Sequence, residues 1–428
     1  MSELSASPAP EAGVQRFRAY YALAALILGL LAGMMAGGLG AGMREGALSV
    51  ASFIGTLWLN ALKMTVIPLV VALLVVGIAK SAEAAQAGRI AGRSVLWIVL
   101  ICTASAVFGA VATVILTHLF PLSRETAQLL QAALGTVEKA SGPIPGAAEF
   151  FKGVVPPNVF AAASNGDILP LTVSTLLFAL ALTKIPAGGR RAVVTLFDAV
   201  GEAFLVVIEW VLAIAPLGVF ALAFTVGSAA GGAAFAGLGH YVIVISVIGI
   251  LVTLAAYPLV AVAGNVRMGP FTRGLIPSQA VAISTRSSLA SLPAMLAGAR
   301  SMGIREEVSD VTLPIAVALF RATGPAMNTA VAFYVAHWLG LQPTLPQMIA
   351  ATAVGAVMSY GAVSLPGEVS YISSIAPIAL ALGVPIAPLG LLVAVEMVPD
   401  IFRTVGNVTH DVTLASIVDR GTRSAPRS

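Results

Sequence analysis

Long apolar runs separated by short polar segments make up the N-terminal part of the chain. A helix needs about 20 apolar residues to span a bilayer. Runs that approach or exceed this length lie at 19–40, 49–79, 94–120, 167–183, 193–226 and 239–264. The pattern therefore predicts six transmembrane helices.

Beyond residue 264 the apolar runs are interrupted by polar residues. Residues 275–301 contain "STRSSLASLP", 346–380 contain "YGAVSLPGE", and 308–336 contain "FRATGP", whereas 386–417 form a long final span. Irregular backbone at membrane depth is tolerated only where protein buries it or where it lines a wet cavity. The breaks therefore predict a site inside the membrane.

Composition and charge agree with a polytopic membrane protein. Of the 428 residues, 58% are hydrophobic and only 10% are charged, against about 25% charged in soluble domains. The net charge of +4 does not indicate nucleic-acid binding, because the basic residues form short clusters between apolar runs. The single cysteine, Cys102, excludes a disulfide framework. No nucleophile–base or metal-binding pattern appears, so we expect no enzyme and no bound cofactor.

Lysine and arginine predict the topology. They fall on alternate loops through six spans, and the loops at 227–238, 337–345 and 381–386 carry none. By the positive-inside rule both termini are cytoplasmic, provided that 275–301 enters and leaves on the cytoplasmic face and 346–380 on the outer face. The prediction is eight transmembrane helices plus two re-entrant hairpins, which is typical of inverted repeats with a midplane site.

The last span carries five polar residues on one face. At about 100° per residue, one arc of the helix contains Glu396, Asp400, Arg403, Asn407 and Asp411. Charges facing lipid cost several kcal/mol, so this face points inward. Arg403 can bind a carboxylate in bidentate fashion, Asp400 can bind an ammonium group, and Asp411 with Asn407 offers oxygen ligands for a small cation. The alternative is an ion-pair network that only braces helices.

Several segments resemble the dicarboxylate/amino acid:cation symporter family over roughly residues 20 to 418. "TRSSLASLP" and "YGAVSLPGE" resemble its two hairpin tips, and "PDIFRTVGNVTHD" resembles its substrate and sodium motif. The segments "LKMTVIPLVV" and "PPNVFAAASNGDILPL" resemble its second and fourth helices. The resemblance implies a homotrimer in lipid, located in a bacterial cell inner membrane, whose mobile transport domain moves like an elevator against a scaffold.

The resemblance also implies a division of the chain. Residues 19–264 would be mostly scaffold, with helices three and six in the transport domain. Residues 265–418 would form the core transport domain, while 1–18 and 419–428 would be a disordered N-terminus and a cytoplasmic tail. No chemical role is predicted for the external segment 124–160.

By position, the resemblance implies that Arg403 binds the side-chain carboxylate of the substrate, that Asp400 binds its α-amino group and that Asn407 binds its α-carboxylate. Asn407 and Asp411 would contribute to a sodium site. The remaining substrate-site positions are Arg286, Ser287, Ser288, Gly324, Val363, Ser364, Pro366, Gly367 and Thr404.

One departure from the family concerns the coupling ion. Where the family's seventh helix carries an Asn-Met-Asp-Gly-Thr-like sodium motif, this chain has Phe320 to Gly324, with an arginine at 321. A guanidinium cannot be deprotonated in a protein, so Arg321 is hypothesised to replace a sodium ion. Coupling would then use Na⁺ at another site or H⁺, with Glu396 or Glu368 as proton carriers. The alternative is that Arg321 only braces the fold.

These observations predict a secondary active symporter for acidic amino acids such as aspartate or glutamate. The alternatives are a C4-dicarboxylate carrier, a sodium-independent transporter working by proton coupling or exchange, and a channel or sensor on the same scaffold. Asp400 favours an amino acid, because a plain dicarboxylate brings no ammonium partner.

Overall fold

The structure is a computed structural model that describes residues 11–86, 88–133, 155–360 and 367–423. Every regular element in these ranges is a helix. Four helices among them are long and apolar enough to span a membrane, and one bent helix pair makes a fifth candidate. The prediction of an all-α membrane protein is confirmed.

Seventeen α-helices lie in the described ranges. The first nine are α1 Glu11–Met35, α2 Ala41–Gln86, α3 Arg89–Leu119, α4 Arg124–Ala133, α5 Val159–Asn165, α6 Ile168–Leu182, α7 Ala187–Ala213, α8 Ala215–Ala230 and α9 Gly232–Ala263. The other eight are α10 Met268–Thr285, α11 Ser288–Ser301, α12 Glu306–Leu319, α13 Thr323–Trp338, α14 Leu345–Tyr360, α15 Gly367–Ala381, α16 Ala387–Leu392 and α17 Met397–Arg423.

Some predicted boundaries differ from the observed helices. The span predicted at 193–226 is the bent pair α7 and α8, whose axes differ by 57°. The bend falls next to Pro216, in the first turn of α8, because proline supplies no backbone N–H to continue the preceding helix. Helix α1 begins at Glu11, inside the segment predicted to be disordered, and α17 continues to Arg423.

Glycines allow the closest helix contacts. Helices α1 and α8 pack along their length, and a Cβ at Gly33 would lie 2.2 Å from the Phe224 carbonyl oxygen. A Cβ at Gly109 of α3 would lie 2.2 Å from the Ala326 carbonyl oxygen of α13. Small residues at membrane helix interfaces let backbones approach in this way. The second contact holds α3 against the start of α13.

Helix α13 lies at the centre of the molecule, and nearly all of its residues are buried. Helices α3, α9, α14 and α15 pack around it, and α17 packs against α9, α10 and α12. Two N-terminal helices, α3 and α9, therefore contact the C-terminal elements extensively. Their assignment to a mobile transport domain stays a prediction.

Candidate substrate and cation site

The first predicted hairpin consists of α10 and α11, which pack against each other. Helix α10 ends at Thr285, and its C-cap is Arg286, the only non-glycine residue of the described chain with positive φ (53°). Ser287 then caps α11, because its side chain accepts a hydrogen bond from the Ala290 backbone N–H at 3.2 Å. Serine suits this position, since a hydroxyl satisfies N–H groups that lack a helical partner. Part of the serine-rich pattern therefore reflects a helix start.

The break predicted at "FRATGP" separates α12 from α13 at residues 320–322. Side-chain hydrogen bonds attach this break to α17. The Thr323 backbone N–H donates to Asn407 Oδ1 at 3.0 Å, and the Thr323 hydroxyl lies 2.7 Å from both Asn407 Oδ1 and the Arg403 carbonyl oxygen. From α3, the Ser105 hydroxyl donates to the Ala322 carbonyl oxygen. Exposed peptide groups at the break are thereby satisfied from two helices.

The guanidinium of Arg403 lies among three side-chain acceptors. Its Nη1 donates to Asn328 Oδ1 at 2.6 Å, its Nη2 donates to Glu396 Oε1, and its Nε lies 3.7 Å from Asp400 Oδ1. Arg286 approaches Asp400 from the first hairpin, with Nη1 3.7 Å from Oδ2. The polar face predicted on the last span thus points into the protein and meets the hairpin tip.

Two tyrosines complete the surroundings of Glu396. The Tyr241 hydroxyl of α9 donates to Glu396 Oε2 at 3.0 Å and lies 3.0 Å from the Tyr371 hydroxyl of α15. Glu396 itself is only 2% exposed. Its carboxylate therefore contacts α9 and α17 directly. Through Tyr241 it also reaches α15, which packs with α14 in the region of the second predicted hairpin.

A second charged contact lies beside the break. Asp411 is completely buried, and neither of its carboxylate oxygens accepts a hydrogen bond from a described residue. The Arg321 guanidinium attracts the carboxylates of Asp411 and Asp400. Arg321 is in electrostatic range of these two carboxylates, although neither Asp411 oxygen accepts a hydrogen bond from it. Its replacement of a cation stays a prediction, and so does the alternative that it only braces the fold.

Six charged side chains belong to this described cluster. The cations are Arg286, Arg321 and Arg403, and the anions are Glu396, Asp400 and Asp411. If all six groups are ionised, three positive and three negative charges balance. An uncompensated buried charge costs several kcal/mol, so a charged solute that enters this cluster has to bring or recruit a compensating charge.

Several side chains near Asp411 offer no oxygen ligand for a sodium ion. Hard cations are held by oxygen ligands, but Phe320, Arg321 and Ala322 carry no side-chain oxygen. The Asn407 side-chain oxygen already accepts hydrogen bonds from Thr323. Ile101 and Cys102 face this region from α3 without offering oxygen. The sodium site at Asn407 and Asp411 therefore stays a prediction.

The structure brings seven predicted residues together and leaves others apart or undescribed. The seven are Arg286, Arg321, Glu396, Asp400, Arg403, Asn407 and Asp411. Thr404 donates its hydroxyl to the Asp400 carbonyl oxygen at 2.9 Å, Ser288 is buried, and Gly324 lies at the start of α13. Val363, Ser364 and Pro366 lie outside the described residues, as do the Glu368 side chain and all side-chain surroundings of Gly367. Each role in binding stays a prediction.

Four residues of the site were not predicted from the sequence: Tyr241, Thr323, Asn328 and Tyr371. Tyr241 lies in a continuous apolar span, where an aromatic residue is typical of the core. Thr323 and Asn328 sit in the interrupted seventh helix, and polar residues inside a membrane span are the signal that would have found them.

A helical membrane protein whose broken helices surround buried charges has the architecture of a secondary transporter. The chain belongs to the sodium:dicarboxylate symporter family, whose model matches residues 20–421. It is 25% identical over 407 residues to the proton/glutamate-aspartate symporter of Escherichia coli (94% of this chain, 92% of that protein). It is 27% identical over 368 residues to the proton/sodium-glutamate symport protein of Bacillus subtilis (86% and 85%). It is also 27% identical over 385 residues to the C4-dicarboxylate transport protein of Cupriavidus taiwanensis (87% and 86%).

Proposed function

We propose that this protein is a secondary active symporter that carries small acidic solutes, foremost acidic amino acids, across the membrane together with a cation. The buried cluster of three guanidinium groups and three carboxylates carries this proposal. Such a cluster provides binding partners for each charged group of an acidic amino acid, and the names of the relatives agree with acidic substrates.

Three residues are assigned to the substrate. Arg403 binds the side-chain carboxylate, because its planar fork suits bidentate recognition. Asp400 binds the ammonium group, and the Asn407 amide nitrogen binds the α-carboxylate, since the amide oxygen is already engaged with Thr323. Backbone N–H groups at the α11 start add donors for an anion.

A C4-dicarboxylate carrier is the second candidate. Asp400 already lies 3.7 Å from both Arg286 and Arg403, so an ammonium group is not required to compensate its charge. A relative is also named as a C4-dicarboxylate transport protein. Comparing aspartate with succinate separates the two candidates, because these ligands differ only in the ammonium group.

The coupling ion is proposed to be a proton, with at least one sodium site of the family replaced by Arg321. The lack of side-chain oxygens at residues 320–322 and the attraction between Arg321 and Asp411 support this assignment. Transport without an ion gradient, as an exchanger, remains the competing mechanism.

Homotrimeric assembly, elevator motion and cytoplasmic termini are carried over from the resemblance and the charge pattern. Large apolar side chains exposed on α7 and α8, such as Trp210 at 68% and Leu217 at 56%, are surfaces that lipid or another subunit would cover. Cross-linking in membranes tests the trimer.

Ligand binding to purified protein tests the function. We expect aspartate, glutamate or succinate to raise the thermal unfolding midpoint, and neutral amino acids such as alanine to leave it unchanged. Stabilisation by neutral amino acids alone would contradict the proposal.

A channel would pass current through a bilayer when substrate is saturating, whereas a symporter shows slow, saturable uptake.

A further inference from the structure

Glu396 occupies a distinctive place in the cluster. It lies in the turn between α16 and α17, is buried, and holds one nitrogen of the Arg403 guanidinium. Its other oxygen accepts the Tyr241 hydroxyl, which in turn contacts Tyr371 of the second hairpin. Both oxygens of this carboxylate are therefore committed to partners from different elements.

Substrate and Glu396 compete for Arg403. The proposed function gives Arg403 to the substrate carboxylate, and the present inference rests on that assignment. In the structure, Nη1 and Nη2 of Arg403 are already used by Asn328 and Glu396. A guanidinium binds a carboxylate in bidentate fashion through Nη1 with Nη2 or through Nε with Nη2. Both modes use Nη2, so a bidentate substrate carboxylate displaces Glu396 and leaves it without its cationic partner.

Charge balance determines how Glu396 responds to this displacement. With its six groups ionised the cluster is neutral before substrate enters, and an acidic amino acid brings a net charge of −1. A buried carboxylate that loses its cationic partner takes up a proton in preference to remaining charged. The protonated Glu396 can then donate its proton to a tyrosine oxygen, so that its hydrogen bonding is kept.

The contacts of the two carboxylates beside Arg403 favour Glu396 over Asp400 as the proton acceptor. The charged groups that act on it are Arg403 and Asp400. Its described hydrogen-bond partners from α9 and α17 are Tyr241 and Arg403, with Tyr371 of α15 behind Tyr241. Asp400 keeps Arg286 as a partner and can also gain the substrate ammonium group. Glu368 is the acidic residue of the second predicted hairpin (346–380), and a Glu368 variant separates its contribution from that of Glu396.

We propose that Glu396 is the proton-coupling residue of this protein. When the substrate carboxylate takes the Arg403 guanidinium, Glu396 binds one proton from the aqueous side that supplied the substrate, and both travel together. On release the proton leaves and the Arg403–Glu396 pair re-forms. One proton therefore accompanies each acidic amino acid, and no bond other than the carboxyl O–H is made or broken.

Calorimetry measures this proton directly. Aspartate is titrated into the detergent-purified protein in buffers of different ionisation enthalpy at one pH, which gives the number of protons taken up per ligand. We expect uptake of about one proton per aspartate for the native protein and of none for Glu396→Gln. The affinity of the native protein for aspartate should rise by up to about tenfold for each unit by which the pH is lowered. The matched control is Glu209→Gln on exposed α7, which should retain the native proton uptake.

Further variants keep the inference open to refutation. Tyr241→Phe leaves the Glu396 carboxyl group in place, so one proton should still be taken up. The pH above which aspartate affinity falls should shift, because Glu396 loses a hydrogen-bond donor. Proton uptake that survives in Glu396→Gln, or that is lost in Glu368→Gln instead, would overturn the inference. Aspartate binding to the native protein without proton uptake would also overturn it and would leave the proposed function intact. Absence of binding by aspartate, glutamate and succinate would refute both.

Discussion

The pairing of Arg321 with Asp411 gives a quantitative prediction. Arg321→Gln leaves a fully buried carboxylate without its fixed cation. At an effective dielectric constant near 20, two unit charges attract each other by about 4 kcal/mol at about 4 Å and by about 2–3 kcal/mol at about 6–8 Å. Arg321 and Asp411 are neither hydrogen-bonded nor among the salt bridges of the described residues, so the longer separation applies and we expect a coupling of about 2–3 kcal/mol.

A double-mutant cycle measures that coupling. The free energy of unfolding is determined by reversible denaturant titration of the purified native protein, Arg321→Gln, Asp411→Asn and the double variant. The loss of unfolding free energy in the double variant should be smaller than the sum of the two single losses by about 2–3 kcal/mol. Additive losses would refute the pairing.

Sodium provides the second half of this test. A buried carboxylate without a cation should attract one, and a ligand that binds only the folded state stabilises it. Sodium chloride, compared with choline chloride at equal ionic strength, should therefore stabilise Arg321→Gln more than the native protein. The double variant, which lacks the carboxylate charge, should lose this gain. Equal stabilisation of the native protein would contradict the replacement of sodium by Arg321.

Two further variants test the site and the fold. Arg403→Lys keeps the charge but removes the planar fork, so aspartate affinity measured by calorimetry should fall at least about tenfold, equivalent to about 1.4 kcal/mol; unchanged affinity would remove Arg403 from the substrate site. Gly109→Ala would place a Cβ 2.2 Å from the Ala326 carbonyl oxygen and should lower the thermal unfolding midpoint. The control Gly239→Ala has no atom within 4 Å of the added Cβ and should leave the midpoint unchanged. Equal midpoints for the two variants would contradict the close packing of α3 on α13.

The hydrophobic pattern was sufficient to predict the membrane fold and two of the places where helices break. The breaks at "STRSSLASLP" and "FRATGP" carry serine, glycine and proline, whose local chemistry ends helices. The bend between α7 and α8 was missed because Pro216 lies inside an unbroken apolar run, and a proline within a membrane helix does not always break it.

The charged half of the site was predictable from helical periodicity, whereas its neutral half was not. Glu396, Asp400, Arg403, Asn407 and Asp411 recur at helical spacing, and a charged stripe in a membrane span has to face inward. Periodicity concerns one helix at a time, so it gives no indication of which residues other helices bring to that face. Tyr241 and Asn328 became visible only through packing.

Uptake into proteoliposomes tests the central claim most directly. Vesicles containing the purified protein are given labelled aspartate, with either an inward proton gradient or an inward sodium gradient, and with choline replacing sodium in the first case. We predict accumulation driven by the proton gradient in the absence of sodium, and its loss in Glu396→Gln. Accumulation that requires sodium and ignores the proton gradient would contradict the account.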